Sequence, residues 1–184
     1  MNKNIVRVDT VIEFWFEETD PEFWWKKDTD IDQIITERFE VAHHMAIQGG
    51  LASWRETPLG RLAEIIVLDQ FSRNLYRDSP LAFAYDEQAL ALAQDAIQAK
   101  ADEALETQQK AFLYLPFMHS ESREAHETAL ILFKAPGLES NYDFELKHKV
   151  IIDRFGRYPH RNEILGREST QEEIEFLKEP GSSF

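Results

Sequence analysis

The stretch TPLGRLAEIIVLDQFSRN, residues 57–74, decides the fold class. Thr57 before Pro58 reads as a helix start, because threonine caps well and proline suits the first helical position, where an N–H would have no partner. Beyond it Leu62, Ile65, Ile66, Leu68 and Phe71 occupy most of a helix's circumference rather than one stripe. That spread predicts a central helix buried on every side. Asp69, Gln70, Arg73 and Asn74 stand inside this apolar surround. Asp69 and Arg73 are four positions apart and share a helix face. At a surface such a pair would contribute little, but in a buried helix polar groups need partners or a cavity. An internal strut and a functional site explain that placement equally well.

The same helical pattern extends to both sides. Thr10 caps a short amphipathic turn through Val11, Ile12, Phe14, Trp15 and Phe16, and Asp20-Pro21 opens a turn into Phe23, Trp24 and Trp25. From Asp30, apolar residues Ile31, Ile34, Ile35, Phe39, Ala42 and Met45 recur at helical spacing up to a stop at Gly49-Gly50. Ser79-Pro80 starts another helix with Phe83, Ala89, Leu90, Ala93 and Ile97 inward, and further helices are predicted at 107–115, 121–134 and 141–155. The last, near 170–178, begins with the capping-box pattern Thr170-Gln171-Glu172-Glu173. No segment alternates with period two, and connections are short. The predicted fold is all-α, with antiparallel helical pairs in a single compact array forming one domain over 1–184. It is tetratricopeptide-like without the repeat signature of that class.

Composition narrows the function classes. Of 184 residues 43% are apolar, enough for a real core, and the net charge is −14 with a pI near 4.8. Phosphates would be repelled over most of such a surface, so nucleic acid is not an expected partner. There is no cysteine, hence no disulfide, thiolate nucleophile or sulfur-ligated zinc. The N-terminus has no uninterrupted apolar region followed by a cleavage site, and no stretch reaches the length that spans a bilayer. The expectation is a cytoplasmic protein that does not enter membranes. Neither a protein partner nor a homo-oligomer is indicated. No nucleotide-binding, zinc-protease or nucleophile-elbow motif occurs, and no two of the six histidines stand four apart, so no metal or cofactor is expected. Trp15, Trp24, Trp25 and Trp54 fit an aromatic core more readily than a ligand groove.

Two further stretches combine polar groups with apolar surroundings. In LPFMHSES, 115–122, Pro116 predicts that the chain turns near Leu115, with Ser120 or Ser122 capping the next helix. His119 and Glu121 would then stand at a helix start, where outward N–H groups favour anions. In RFGRYPHRN, 154–162, Gly156 reads as the cap of the helix before it and Tyr158-Pro159 as extended chain. Phe155 and Tyr158 would anchor this loop, leaving Arg154, Arg157, His160, Arg161 and Asn162 on a surface or around a pocket. From Arg154 to Arg167 four arginines face one acid, Glu163, a cationic island in an acidic chain. Arginine forks suit carboxylate or phosphate, although arginines here would also neutralise acidic helix ends.

FWF near the start, LDQFSRN, FLYLPFMHSE, RFGRYPHRN, LGRES and EPGSSF occur together and in order. In these motifs the chain resembles the DUF924 family, a bacterial domain of unknown function, over nearly its whole length. The resemblance implies an all-α fold similar to tetratricopeptide-like arrays and brings no established activity, substrate or catalytic residue. It marks Asp69, Gln70, Arg73, Asn74, His119, Ser120, Glu121, Arg154, Arg157, His160, Arg161 and Asn162 as motif positions. Ser72 and Tyr158 depart from the family's more usual proline and phenylalanine. The closing PGSSF belongs to the pattern as well, which implies a docked tail rather than a frayed one.

Two readings follow. In the first, Arg73, Arg157 and Arg161 hold an anionic small molecule bearing phosphate or carboxylate. His119 or His160 exchanges a proton with it and Glu121 or Asp69 orients the histidine. Binding alone and catalysis both fit this reading. In the alternative, a helical-array groove takes a protein or peptide and the polar motifs are struts. Convergence of Arg73, His119 and His160 within one concave pocket favours the first, whereas their full burial in mutual ion pairs with no cavity beside them removes it. A broad apolar groove elsewhere then favours the second.

Overall fold

Several helices begin at capping residues. Thr57 Oγ accepts from the Gly60 N–H at 3.0 Å, Ser122 Oγ accepts from Ala125, and Thr170 and Glu173 close a reciprocal capping box. Gly60 is required here because a Cβ would lie 1.9 Å from the Trp54 carbonyl oxygen. The computed structural model describes residues 6–184 and contains no strand among them. Its α-helices are α1 (Val8–Glu13), α2 (Thr29–Ile47), α3 (Pro58–Ile66), α4 (Ser72–Leu75) and α5 (Asp86–Gln98). They continue with α6 (Thr107–His119), α7 (Arg123–Leu132), α8 (Glu139–Phe155) and α9 (Gln171–Phe176).

The central position of the 57–74 stretch holds. α3 passes through a π-helical turn, Val67–Phe71, directly into α4, so that one continuous helix carries all four polar residues. α3 packs against α1, α5 and α6, while α5 and α6, α6 and α7, and α7 and α8 pack as successive neighbours. Short connections between packed helices make them antiparallel pairs. Leu62, Ile65, Ile66, Leu68 and Phe71 are all buried, against Trp15, Phe39, Phe112 and Leu113 from α2, α6 and the π-turn after α1. Each such side chain contributes roughly 1.5–3 kcal/mol by leaving water. A smaller cluster of Ile151, Ile152 and Tyr158, with Phe155 and Phe176 beside it, holds the C-terminal part.

Three local expectations fail. Thr10 does not cap the first helix but lies inside α1, which begins at Val8 after Arg7 with no side-chain cap. The chain does not turn at Leu115-Pro116: α6 runs through Pro116 to His119. Every residue from Ala111 to Met118 is buried, and packing over that length outweighs the ~3 kcal/mol that an interior proline costs a helix. Ser79-Pro80 makes only a 3₁₀ turn, Pro80–Ala82, and α5 begins at Asp86. Gly156 does cap α8 at φ +72°, Tyr158 is extended, and the predicted capping box opens α9. No helix of the described residues is long and apolar enough to cross a membrane.

Candidate functional site

The π-turn presents Asp69 and Gln70 side by side within the central helix. Such turns are rare and recur at functional sites. Asp69 is buried, its side chain 1% exposed, and both oxygens of its carboxylate are hydrogen-bonded. Oδ1 accepts from His119 Nδ1 at 2.7 Å and from Arg73 Nη1 at 3.2 Å, and Oδ2 accepts from Gln70 Nε2 at 2.6 Å. Burial alone would push the carboxyl up, but His119, Arg73 and Gln70 outweigh it and hold Asp69 well below the usual carboxylate range. Asp69 is therefore ionised at neutral pH.

His119 comes from the last residue of α6, not from a helix start, so the expected anion site at exposed N–H groups is absent there. Burial lowers its pKa, Asp69 opposes that, and the Arg73 charge adds to the lowering. The imidazole is neutral, and an ionised Asp69 can only accept from Nδ1–H, which fixes the tautomer. The Nε2 lone pair has no partner in the protein among the described residues, on a side chain 17% exposed.

Two arginines back this pair. Arg73 forks onto Asp86, Nη1 to Oδ1 at 2.8 Å and Nη2 to Oδ2 at 3.0 Å, and its Nη1 also donates to the Asp69 carbonyl. Arg161 donates to Asp86 Oδ2 at 3.2 Å and to the His119 carbonyl at 3.0 Å. Both guanidiniums lie over the ring of Phe83, and Arg161 also over Tyr158. With two arginines against Asp69 and Asp86, the cluster is electrically neutral.

The remaining predicted residues divide. His160 lies on this side, tilted against Tyr158 at 5.5 Å between ring centroids, with burial and then Arg161 lowering its pKa to about 4. Asn74 turns away to Asp32, which Arg77 also holds. Arg157 forks onto Glu173, whose pKa falls to about 2 chiefly through that bond, and Asn162 bonds Ser169 and Glu173. Arg154 pairs with the exposed Glu172. Glu121 does not orient a histidine: it accepts a fork from Arg167 and the Tyr158 N–H. Arg73, His119 and Arg161 thus converge, while Arg154, Arg157, Glu121 and Asn162 hold the loop and α9 in place and Asn74 ties α4 to α2.

Several residues of this region carried no signal in the sequence. Asp86 reads as an ordinary acid in a first helical turn. His126 and Glu145 form a pair fully buried in the core, Nδ1 to Oε1 at 2.6 Å, with Nε2 bonded to the Ser120 carbonyl. Burial pushes Glu145 up. His148 stands between two lysines in the sequence, yet it is buried and donates Nδ1–H to the Phe144 carbonyl. Among the described residues, three of the five buried side-chain polar atoms that lack a hydrogen-bond partner lie in this region: Glu145 Oε2, His160 Nδ1 and Arg161 Nε. Native cores satisfy most such groups with protein or ordered water.

Arg167, which the cationic island included without a role, is a keystone of the loop. It holds Glu121 twice, Asn162 Oδ1 at 2.9 Å and the Tyr158 carbonyl at 3.1 Å. Arg167→Ala is expected to lower stability by about 2 kcal/mol, since charge-assisted bonds are lost and Glu121 is left half-buried. A urea titration reads this directly, and an unchanged midpoint would remove that role.

Fold and site together define an all-helical protein with an aspartate–histidine pair set in its central helix and backed by two arginines. Residues 11–181 match the family described as bacterial protein of unknown function, DUF924. The chain belongs to that family. A solved structure of a protein of unknown function from Agrobacterium tumefaciens is similar at 36% identity and a TM-score of 0.88, covering 93% of this chain and 96% of that one. Curated proteins yield no match.

Proposed function

We propose that the Asp69–His119 pair is the acid–base centre of a small-molecule site whose ligand carries a phosphate or carboxylate group. The observation that carries this reading is the imidazole itself: Asp69 fixes Nδ1–H and leaves an unprotonated, partly exposed Nε2. In that state His119 takes a proton from a bound hydroxyl or water. The imidazolium that forms is stabilised by the adjacent carboxylate, and a positioned base of this kind accelerates proton transfer by about 10²–10⁴-fold. Asp69 orients and stabilises without itself being protonated. Arg161, the cation bonded to the His119 carbonyl, is assigned the anion's recognition. Since the cluster is neutral, the anion is held by directed donors rather than by a general positive field.

The alternative, a peptide groove, has less support. Ile34, Val41 and Met45 are exposed on α2, but they form a single row rather than a groove.

The test is a thermal-shift screen of phosphorylated and carboxylated metabolites against wild type, His119→Gln and Arg161→Ala. A true ligand at a hundred times its Kd stabilises wild type by about 2.7 kcal/mol. That stabilisation is expected to survive in His119→Gln and to vanish in Arg161→Ala, while any turnover is lost in both. No shift with any anion sinks the proposal.

A further inference from the structure

Phe184 is placed in a way that core packing does not explain. Its ring lies flat on the imidazole of His148, with centroids 3.7 Å apart and planes 19° from parallel, and stands edge-on to His160 at 6.4 Å. Yet Phe184 is 51% exposed rather than enclosed. The tail reaches this position from a fixed point. Gly181 turns the chain at φ +78°, and Ser182 is buried with its Oγ donating to the Leu177 carbonyl. Beyond that anchor, Ser183 is exposed and Phe184 rests on His148, with its edge toward His160.

His148 and His160 form an aromatic wall beneath Phe184, with the buried Tyr158 behind them. Tyr158 stands edge-on to His148 at 5.8 Å and tilted against His160 at 5.5 Å. The Phe144 carbonyl fixes the orientation of His148. Burial keeps both imidazoles neutral near pH 7, His148 falling to about 3 and His160 to about 4, so they offer ring faces rather than charge. The wall adjoins the acid–base pair through Arg161, which lies over Tyr158 and donates to the His119 carbonyl.

We infer that this wall is the ring-binding half of the site, that the ligand joins a planar aromatic or heteroaromatic group to its anion, and that Phe184 holds the ring's place as a lid. The inference rests on the reading of the site given above. A core aromatic would be enclosed, and a frayed tail would not lie parallel to an imidazole. One stacked contact is weak enough to exchange: pairs of this kind correspond to roughly two- to tenfold in an equilibrium.

Two matched probe pairs test it: benzoate against acetate, and phenylphosphonate against methylphosphonate. Each is titrated into wild type and Phe184→Ala while the His148 ring protons are followed by NMR. The aromatic member of each pair is expected to bind tighter. Phe184→Ala is expected to strengthen aromatic binding by about two- to tenfold, the stacking contact it removes, and to leave acetate and methylphosphonate unchanged. The ring-current shift at His148 is expected to vanish in Phe184→Ala and to return with benzoate. Equal binding of aromatic and methyl probes overturns the inference while leaving an anion site intact. Weaker aromatic binding in Phe184→Ala overturns the lid, since Phe184 would then be part of the ligand's own contact. Absence of binding by all four probes overturns both this inference and the reading beneath it.

Discussion

Asp69→Ala is expected to remove about 3–5 kcal/mol of folding stability, the scale on which a buried pair fails when one partner is deleted. Three donors converge on that carboxylate, from Gln70, Arg73 and His119, and none of them has bulk water in reach of the Asp69 position. Arg73 keeps its fork to Asp86, so its charge is not stranded. The loss falls instead on the Gln70 amide and the His119 Nδ1–H, each unsatisfied in a buried place, and on the cavity left in the central helix. Against a typical total of about 5–15 kcal/mol this is a large fraction. Asp69→Asn separates shape from charge. It fills the same volume and keeps one acceptor, so its cost is expected to be roughly half, while loss of the carboxylate's pull lowers the His119 pKa further. Urea unfolding gives the first quantity and NMR titration of His119 the second. A midpoint for Asp69→Ala within experimental error of wild type would show that these contacts do not hold the helix.

The fold was legible because its signals are local. Thr57-Pro58, Gly156 and the Thr170 capping box mark helix ends by side-chain chemistry that needs no tertiary partner. The apolar coverage of residues 62–71 announced a buried helix on its own. Pro116 misled for the opposite reason: a proline penalty is local, but the burial of α6 on all sides that overrides it is tertiary. The π-turn was invisible, since no residue type specifies a shift from i+4 to i+5 bonding.

The site was half legible. Asp69, Arg73, His119 and Arg161 stood out as polar residues in apolar company, and they do meet. What charge pattern could not supply was pairing. Arg157 and Arg161 are equally cationic in the sequence, yet one forks onto Glu173 and the other makes a single bond to Asp86 beside the histidine. Glu121 likewise resembled an orienting carboxylate until Arg167, forty-six residues later, claimed it. Such long-range partners depend on the packing of α8 and the loop after it, which carries no local signature.

Between pH 6.5 and about 4 the protein is expected to lose stability steeply, with histidines rather than carboxylates setting the loss. The sign follows from the folded state's refusal of protons. His43 donates Nε2–H to Ser72 Oγ, because that hydroxyl is itself spent on the Leu68 carbonyl. Its Nδ1 is buried without a partner, so a second proton would find no acceptor, and burial lowers the pKa from 6.5 to about 4. Burial brings His148 to about 3 and His160 to about 4 in the same way. The unfolded chain protonates these groups near 6.5, so the stability they confer is complete above that pH and drains away as pH falls toward their folded values. One fully engaged histidine contributes a slope of about 1.4 kcal/mol per pH unit. His43 and His148, the most enclosed, together give at most about 3 kcal/mol per unit, and the more open His160 adds less. Asp69 and Glu173 act later and in the same sense: their stabilisation is present above about 4.5 and disappears as pH falls through their lowered values, about 2 for Glu173. Urea midpoints at half-unit steps from pH 7 to 4.5 check the slope. His43→Leu is expected to flatten it by about 1.4 kcal/mol per unit, since it deletes one suppressed titration. Stability constant from pH 6.5 to 4.5 would mean that these imidazoles accept protons in the folded protein as freely as in the unfolded one.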